Sequence, residues 1–120
     1  MRLAIPSESD AGLDSTRSGH FGHCAYFTIV TIEGGKVEKV ESVKNADHDV
    51  VGCGGVIEYA GSLNLDAILA AGMGRPPFNG FTQRGIAVYL EQQTPRVGDA
   101  VDKFLNGQVE RMTLEDACAH

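Results

Sequence analysis

The chain has 120 residues, with Lys plus Arg 10 against Asp plus Glu 16 and a formal charge of -6. That balance, with no local cluster of basic residues, speaks against binding nucleic acid, and no apolar run approaches the roughly 20 residues that span a bilayer. One core burying about two-thirds of the unfolded surface is within reach of this length, so Cys24, Cys53 and Cys118 are not needed as staples and fit reduced thiols.

In chain order, residues 2–6 (RLAIP) read as an opening strand and residues 7–23 as a long polar loop without hydrophobic period. Residues 26–33 (YFTIVTIE) and 36–44 (KVEKVESVK), separated by Gly34-Gly35, predict a hairpin. The three-residue spacing of Val37, Val40 and Val43 predicts a bulge in its second strand. Residues 45–55 (NADHDVVGCGG) form a glycine-rich connection, and a helix starts within residues 53–56. Residues 65–71 (LDAILAA) predict a buried strand, residues 78–84 a short helix with Phe78 and Phe81 on one face, and residues 86–90 (IAVYL) another strand. Asp99 is the expected cap of a last helix, Gly107 its stop, and the tail beyond is expected to be partly mobile. The order predicts one α/β domain over residues 1–120, core 2–107, on a mixed sheet with an early hairpin and flanking helices.

Chemistry-bearing residues gather in three of the connections. SGHFGHCAYF holds His20, His23 and Cys24, whose imidazole and thiolate groups suit zinc, iron or copper, although His23 and Cys24 are adjacent and diverge if extended. DHDVVGCGG holds His48 and Cys53, with Gly54 among glycines able to expose backbone amides to an anion. GMGRPP holds Met73, a soft donor or a packing residue, then Gly74 and Arg75. A glycine turn with Cys53 in the core accounts for the second segment equally well. There is no Walker A loop, dinucleotide fingerprint, C-x-x-C pair or catalytic triad, and the strands carry too few acids for a two-metal nuclease.

The succession RLAIP, a histidine-bearing loop before YFTIV, GCGG, LDAILAAGMG and GIAVYL resembles the dinitrogenase iron–molybdenum cofactor biosynthesis family, which includes small metallocluster carriers and orange molybdenum–copper–sulfide proteins. The resemblance implies a ribonuclease-H-like fold and noncatalytic binding, protection or transfer of an anionic metal–sulfur cofactor or precursor. The implied guest is an iron–sulfur or iron–molybdenum-related cluster, or a molybdenum–copper–sulfide cluster. The ligand-facing positions it implies are His20, His23, Cys24, His48, Cys53, Gly54, Met73 and Gly74, with His20, His23, Cys24, His48 and Cys53 as metal donors. A cofactor-assembly or cofactor-recipient protein is the implied partner; independently, a start (MRLAIPSE) without a signal-like hydrophobic region and the lack of a membrane-spanning run predict a cytoplasmic protein away from membranes. The alternatives are a metal-independent small-anion or protein-binding module and a thiol-dependent enzyme using Cys24 or Cys53. Cys24 and Cys53 depart from a histidine-led pattern, and as cluster ligands, ligands to another soft metal, or core and redox-sensitive residues they leave the exact cofactor open.

Overall fold

The computed structural model describes residues 1–19, 24–45 and 58–113. Its frame is a six-stranded mixed sheet in the order β3-β2-β1-β4-β5-β6. The strands are β1 (Arg2–Ser7), β2 (Tyr26–Glu33), β3 (Lys36–Lys44), β4 (Ala67–Ala70), β5 (Ala87–Leu90) and β6 (Glu110–Arg111). β1, β4 and β5 run parallel, while β2, β3 and β6 pair antiparallel with their neighbours. This is the predicted combination of an early hairpin with parallel crossovers.

The hairpin turns on Gly34 and Gly35, at φ +59° and +78°, which the tight two-residue turn between right-twisted strands demands. The predicted bulge is present. Thr31 faces Lys39 but Ile32 faces Val37, so Glu38 is the extra residue. Without it Val37 and Val40 would point to opposite faces of the sheet.

β4 is buried at every position, and its side chains divide between two cores. Ile68 and Ala70 join Ala4, Phe27, Ile29 and Val88 on one face, covered by helix α1, described over 58–61, and by α2 (Arg75–Gln83). Ala67 and Leu69 join Leu3, Ile5, Val30 and Ile32 on the other, covered by α3 (Val97–Leu105). A strand sandwiched this way reads as an unbroken apolar run, which is why LDAILAA shows no alternation.

Three boundaries differ from expectation. α2 begins at Arg75, three residues early, because Pro76 and Pro77 fall in its first turn, where a missing N–H leaves no bond unmade. Phe78 and Phe81 do share its buried face. α3 starts at Val97 without a side-chain cap. The Val97 amide donates instead to the Ser15 carbonyl at 3.0 Å, so backbone of the first loop serves as the cap and Asp99 pairs with Arg96 at 3.1 Å. Beyond α3 the chain adds β6, whose next residue, Met112, is 4% exposed and packs into the first core. Residues 114–120 lie outside the described residues.

Candidate functional site

The carboxyl ends of β1, β4 and β5 are Ser7, Ala70 and Leu90, and all three lie at one edge of the sheet because these strands are parallel. Antiparallel registers bring two more chain ends there: Ser7 faces Tyr26, and Tyr26 faces Lys44. Cys24 and Asn45 therefore stand beside the end of β1, and the described ends of all three connections singled out in the sequence share this edge. Ligand sites of open α/β sheets form at such strand ends.

Contacts between the connections are close. A methyl group at Gly72 would sit 3.4 Å from the Gly19 carbonyl oxygen, in van der Waals contact, so the third loop runs beside the backbone of the first. Asn45 donates through Nδ2 to the Cys24 carbonyl at 2.9 Å and to its sulfur at 3.4 Å, fastening the second loop to the first. Tyr59 of α1 donates to the Lys44 carbonyl at 2.7 Å on the other side of that junction.

Cys24 is 5% exposed among core residues. Burial pushes its thiol up to about 12, against weaker opposing bonds from the Ser7 amide and Asn45. In this arrangement it is a protonated thiol in the wall of the site, where a metal donor has to be a thiolate. Met73 is 3% exposed and packs in the same core, while Gly74 is the N-cap of α2. Arg75 is exposed. His20, His23, His48, Cys53 and Gly54 lie outside the described residues, and among the described residues no group of three or more His, Cys, Asp or Glu could hold a metal ion.

Sequence reasoning missed a charged network at this edge. Arg17 donates through Nη1 to Glu91 Oε1 at 2.7 Å and to the Thr94 carbonyl at 3.0 Å, with side-chain exposures of only 3% for Arg17 and 7% for Glu91. Glu91 also accepts from Lys103 Nζ at 3.1 Å, the Gln93 and Thr94 amides at 3.2 and 3.1 Å, and Thr94 Oγ1 at 3.0 Å. Burial alone would raise its carboxyl, but bonds from Lys103, Thr94 and the two amides hold it at about 2. Burial lowers Arg17 from its ordinary value and Glu91 opposes the shift. Two faint signals existed: Arg17 is the one arginine or lysine of residues 7–23, and Glu91 directly follows IAVYL.

Among the described residues, three buried polar side-chain atoms have no hydrogen-bond partner: Arg17 Nε, Arg17 Nη2 and Asn45 Oδ1. Buried polar atoms are nearly always paired, and those left over mark strain or a place for a guest. Two of the three are donors on a cation, which suits an anion.

A mixed α/β sheet with its connections crossing at one end defines a small binding domain. The chain belongs to the dinitrogenase iron-molybdenum cofactor family, whose model matches residues 1–107. A protein of Methanocaldococcus jannaschii, MJ0580, is 32% identical over 116 residues, covering 92% of this chain and 91% of that protein. The crystal structure of PH0822 superposes with a TM-score of 0.80 at 33% identity, over 93% of this chain and 96% of that one. The apo form of the orange protein from Desulfovibrio gigas superposes with a TM-score of 0.79 at 25% identity, over 92% of each chain. Among the described residues no helix is long and apolar enough to cross a membrane.

Proposed function

We propose that this protein is a noncatalytic carrier that binds, protects and hands on an anionic metal–sulfur cofactor or its precursor. Membership of the cofactor family supports the class of role. The observation that carries the reading is the meeting of the three connections at the carboxyl ends of β1, β4 and β5, joined through Gly19 with Gly72 and Cys24 with Asn45. We read the strand order as ribonuclease-H-like, without nuclease chemistry.

The cargo is an iron–sulfur, iron–molybdenum-related or molybdenum–copper–sulfide cluster. On this reading His20, His23, His48 and Cys53 supply labile donors, Gly54 and Gly74 leave backbone close to the cargo, and Met73 and the protonated Cys24 floor the site. An incomplete donor set suits reversible loading, since a closed set of protein ligands would retain the metal. A cofactor-assembly or cofactor-recipient protein completes the transfer in the cytoplasm.

The test is anaerobic reconstitution of the full chain with iron–sulfur and molybdenum–copper–sulfur species, read by metal and sulfide stoichiometry and by visible absorption. Stoichiometric loading of one class, weakened by His20→Ala, His23→Ala and Cys53→Ser and unaffected by Cys118→Ser, is expected. Absence of loading by either class, with fold and clusters intact, overturns the reading.

A further inference from the structure

Arg17 carries more hydrogen-bonding capacity than its surroundings use. Its Nη1 is spent on Glu91 and Thr94, whereas Nε and Nη2, the adjacent pair on the side of the planar guanidinium, are buried and unpartnered. Glu91 cannot turn to serve them, because both its oxygens already accept from Lys103, Gln93 and Thr94 as well as Arg17. Arg17 and Lys103 against the single carboxylate of Glu91 leave a local excess of one positive charge in a chain whose total is -6.

The position follows from the topology. Arg17 bridges Ser7 at the end of β1, and its side chain reaches Glu91 just beyond the end of β5. β4 lies between those strands, and the Arg17 amide donates to the Pro95 carbonyl at 2.7 Å, so the backbone of the first loop itself links the end of β1 to the segment beyond β5, on either side of the strand from which the third loop departs. Two residues past Arg17, the Gly19 carbonyl meets Gly72 of that loop. The free edge thus belongs to the level at which the first and third connections cross. Paired donors at this spacing match two neighbouring acceptors on one anion, a geometry that lysine does not reproduce.

We infer that Arg17 is a binding residue of this site, its Nε–H and Nη2–H edge receiving two adjacent oxygen or sulfur atoms of a tetrahedral oxo- or thio-metalate face, with Glu91 and Lys103 as positioning residues. The inference rests on the carrier reading and deepens it by assigning how the cargo's charge is recognised. Molybdate, tetrathiomolybdate and inorganic phosphate are the probes, titrated into the full chain carrying 15N-labelled arginine. The Arg17 Nε–H resonance shifts on saturation with at least one metalate, and Arg17→Lys, which keeps a cation against Glu91, weakens that binding about tenfold or more. Preference for a metalate over phosphate supports a cofactor precursor as guest, and equal binding of phosphate overturns the metalate assignment.

If Arg17→Lys does not fold, the resonance of the unmodified protein decides. Protein that loads a reconstituted cluster and binds the metalates while the Arg17 signal stays still overturns the role of Arg17 and leaves the carrier reading standing. Protein that loads no cluster but binds molybdate with a shifted Arg17 signal overturns the carrier reading and retains the anion edge.

Discussion

Replacing Glu91 by Gln keeps the size of the side chain and removes its charge. Five donors converge on this carboxylate, from Arg17, Lys103, the Gln93 and Thr94 amides and the Thr94 hydroxyl. A glutamine must turn its own NH2 toward some of them, so the variant sets donor against donor at a side chain that is 7% exposed. Breaking a buried ion pair from one side costs about 3–5 kcal/mol. The depressed carboxyl gives a consistent figure: a fall from 4.5 to about 2 corresponds to about 3 kcal/mol. In a domain of this size that lowers Tm by about 10–20 °C. The sign in pH is fixed by the same shift. A folded carboxyl below its unfolded value stabilises fully above about pH 4.5 and loses that contribution as pH falls toward about 2. Thermal melts of wild type and Glu91→Gln should therefore be far apart at pH 7 and draw together in acid. A variant melting within about 2 °C of wild type at pH 7, or a gap undiminished near pH 2, refutes the reasoning.

Cys24 should alkylate with iodoacetamide at pH 8 at least about 100-fold more slowly than a free thiol while the protein is folded, followed by peptide mass mapping; labelling at the free rate contradicts its burial. Its preference for the neutral form stabilises the fold fully below pH 9 and fades as pH rises toward about 12. Phe81→Ala, at a fully buried ring in the first core, is expected to cost about 3–5 kcal/mol in urea unfolding, and a loss below about 2 would mean that the core collapses around the gap. Gly98→Ala places a methyl 2.8 Å from Arg96 Nη1 and 3.0 Å from the Leu13 carbonyl oxygen. The arginine can swing away but the backbone resists, so a net loss of about 1–2 kcal/mol is expected even after alanine's better helix propensity, and unchanged or raised stability argues against that contact.

Much of the frame was legible because each signal was local. RLAIP, YFTIVTIE, the Gly34-Gly35 turn, LDAILAA and IAVYL each carry their own period or punctuation, and the uneven valines of β3 announced a bulge, although only the pairing register places it at Glu38. The start of α2 was misread because Arg75-Pro76-Pro77 looks like a breaker until one asks which amides of a first turn need partners. β6 is two exposed residues, and what holds it is the burial of Met112 and the pairing with β5, neither of which is visible in ten residues of sequence. Arg17 and Glu91 are 74 positions apart, and each alone reads as ordinary surface charge. For Cys24 the residue type was noticed, but whether a thiol ends as a ligand or a protonated core group depends on burial and on Asn45, 21 positions later.

The two outer strands bear on how such a molecule meets others. β6 offers a ladder of two residues, and β3 is interrupted by Glu38, has lysines at 36, 39 and 44, and has its last carbonyl occupied by Tyr59. Neither margin presents the long, flat, unpaired backbone on which sheets stack into aggregates. Strand addition is thereby discouraged along both flanks, which leaves the helix-covered faces and the end where the loops meet for contact with another protein. On the proposed carrier reading, a partner that docks at the loop end meets cargo and protein backbone together.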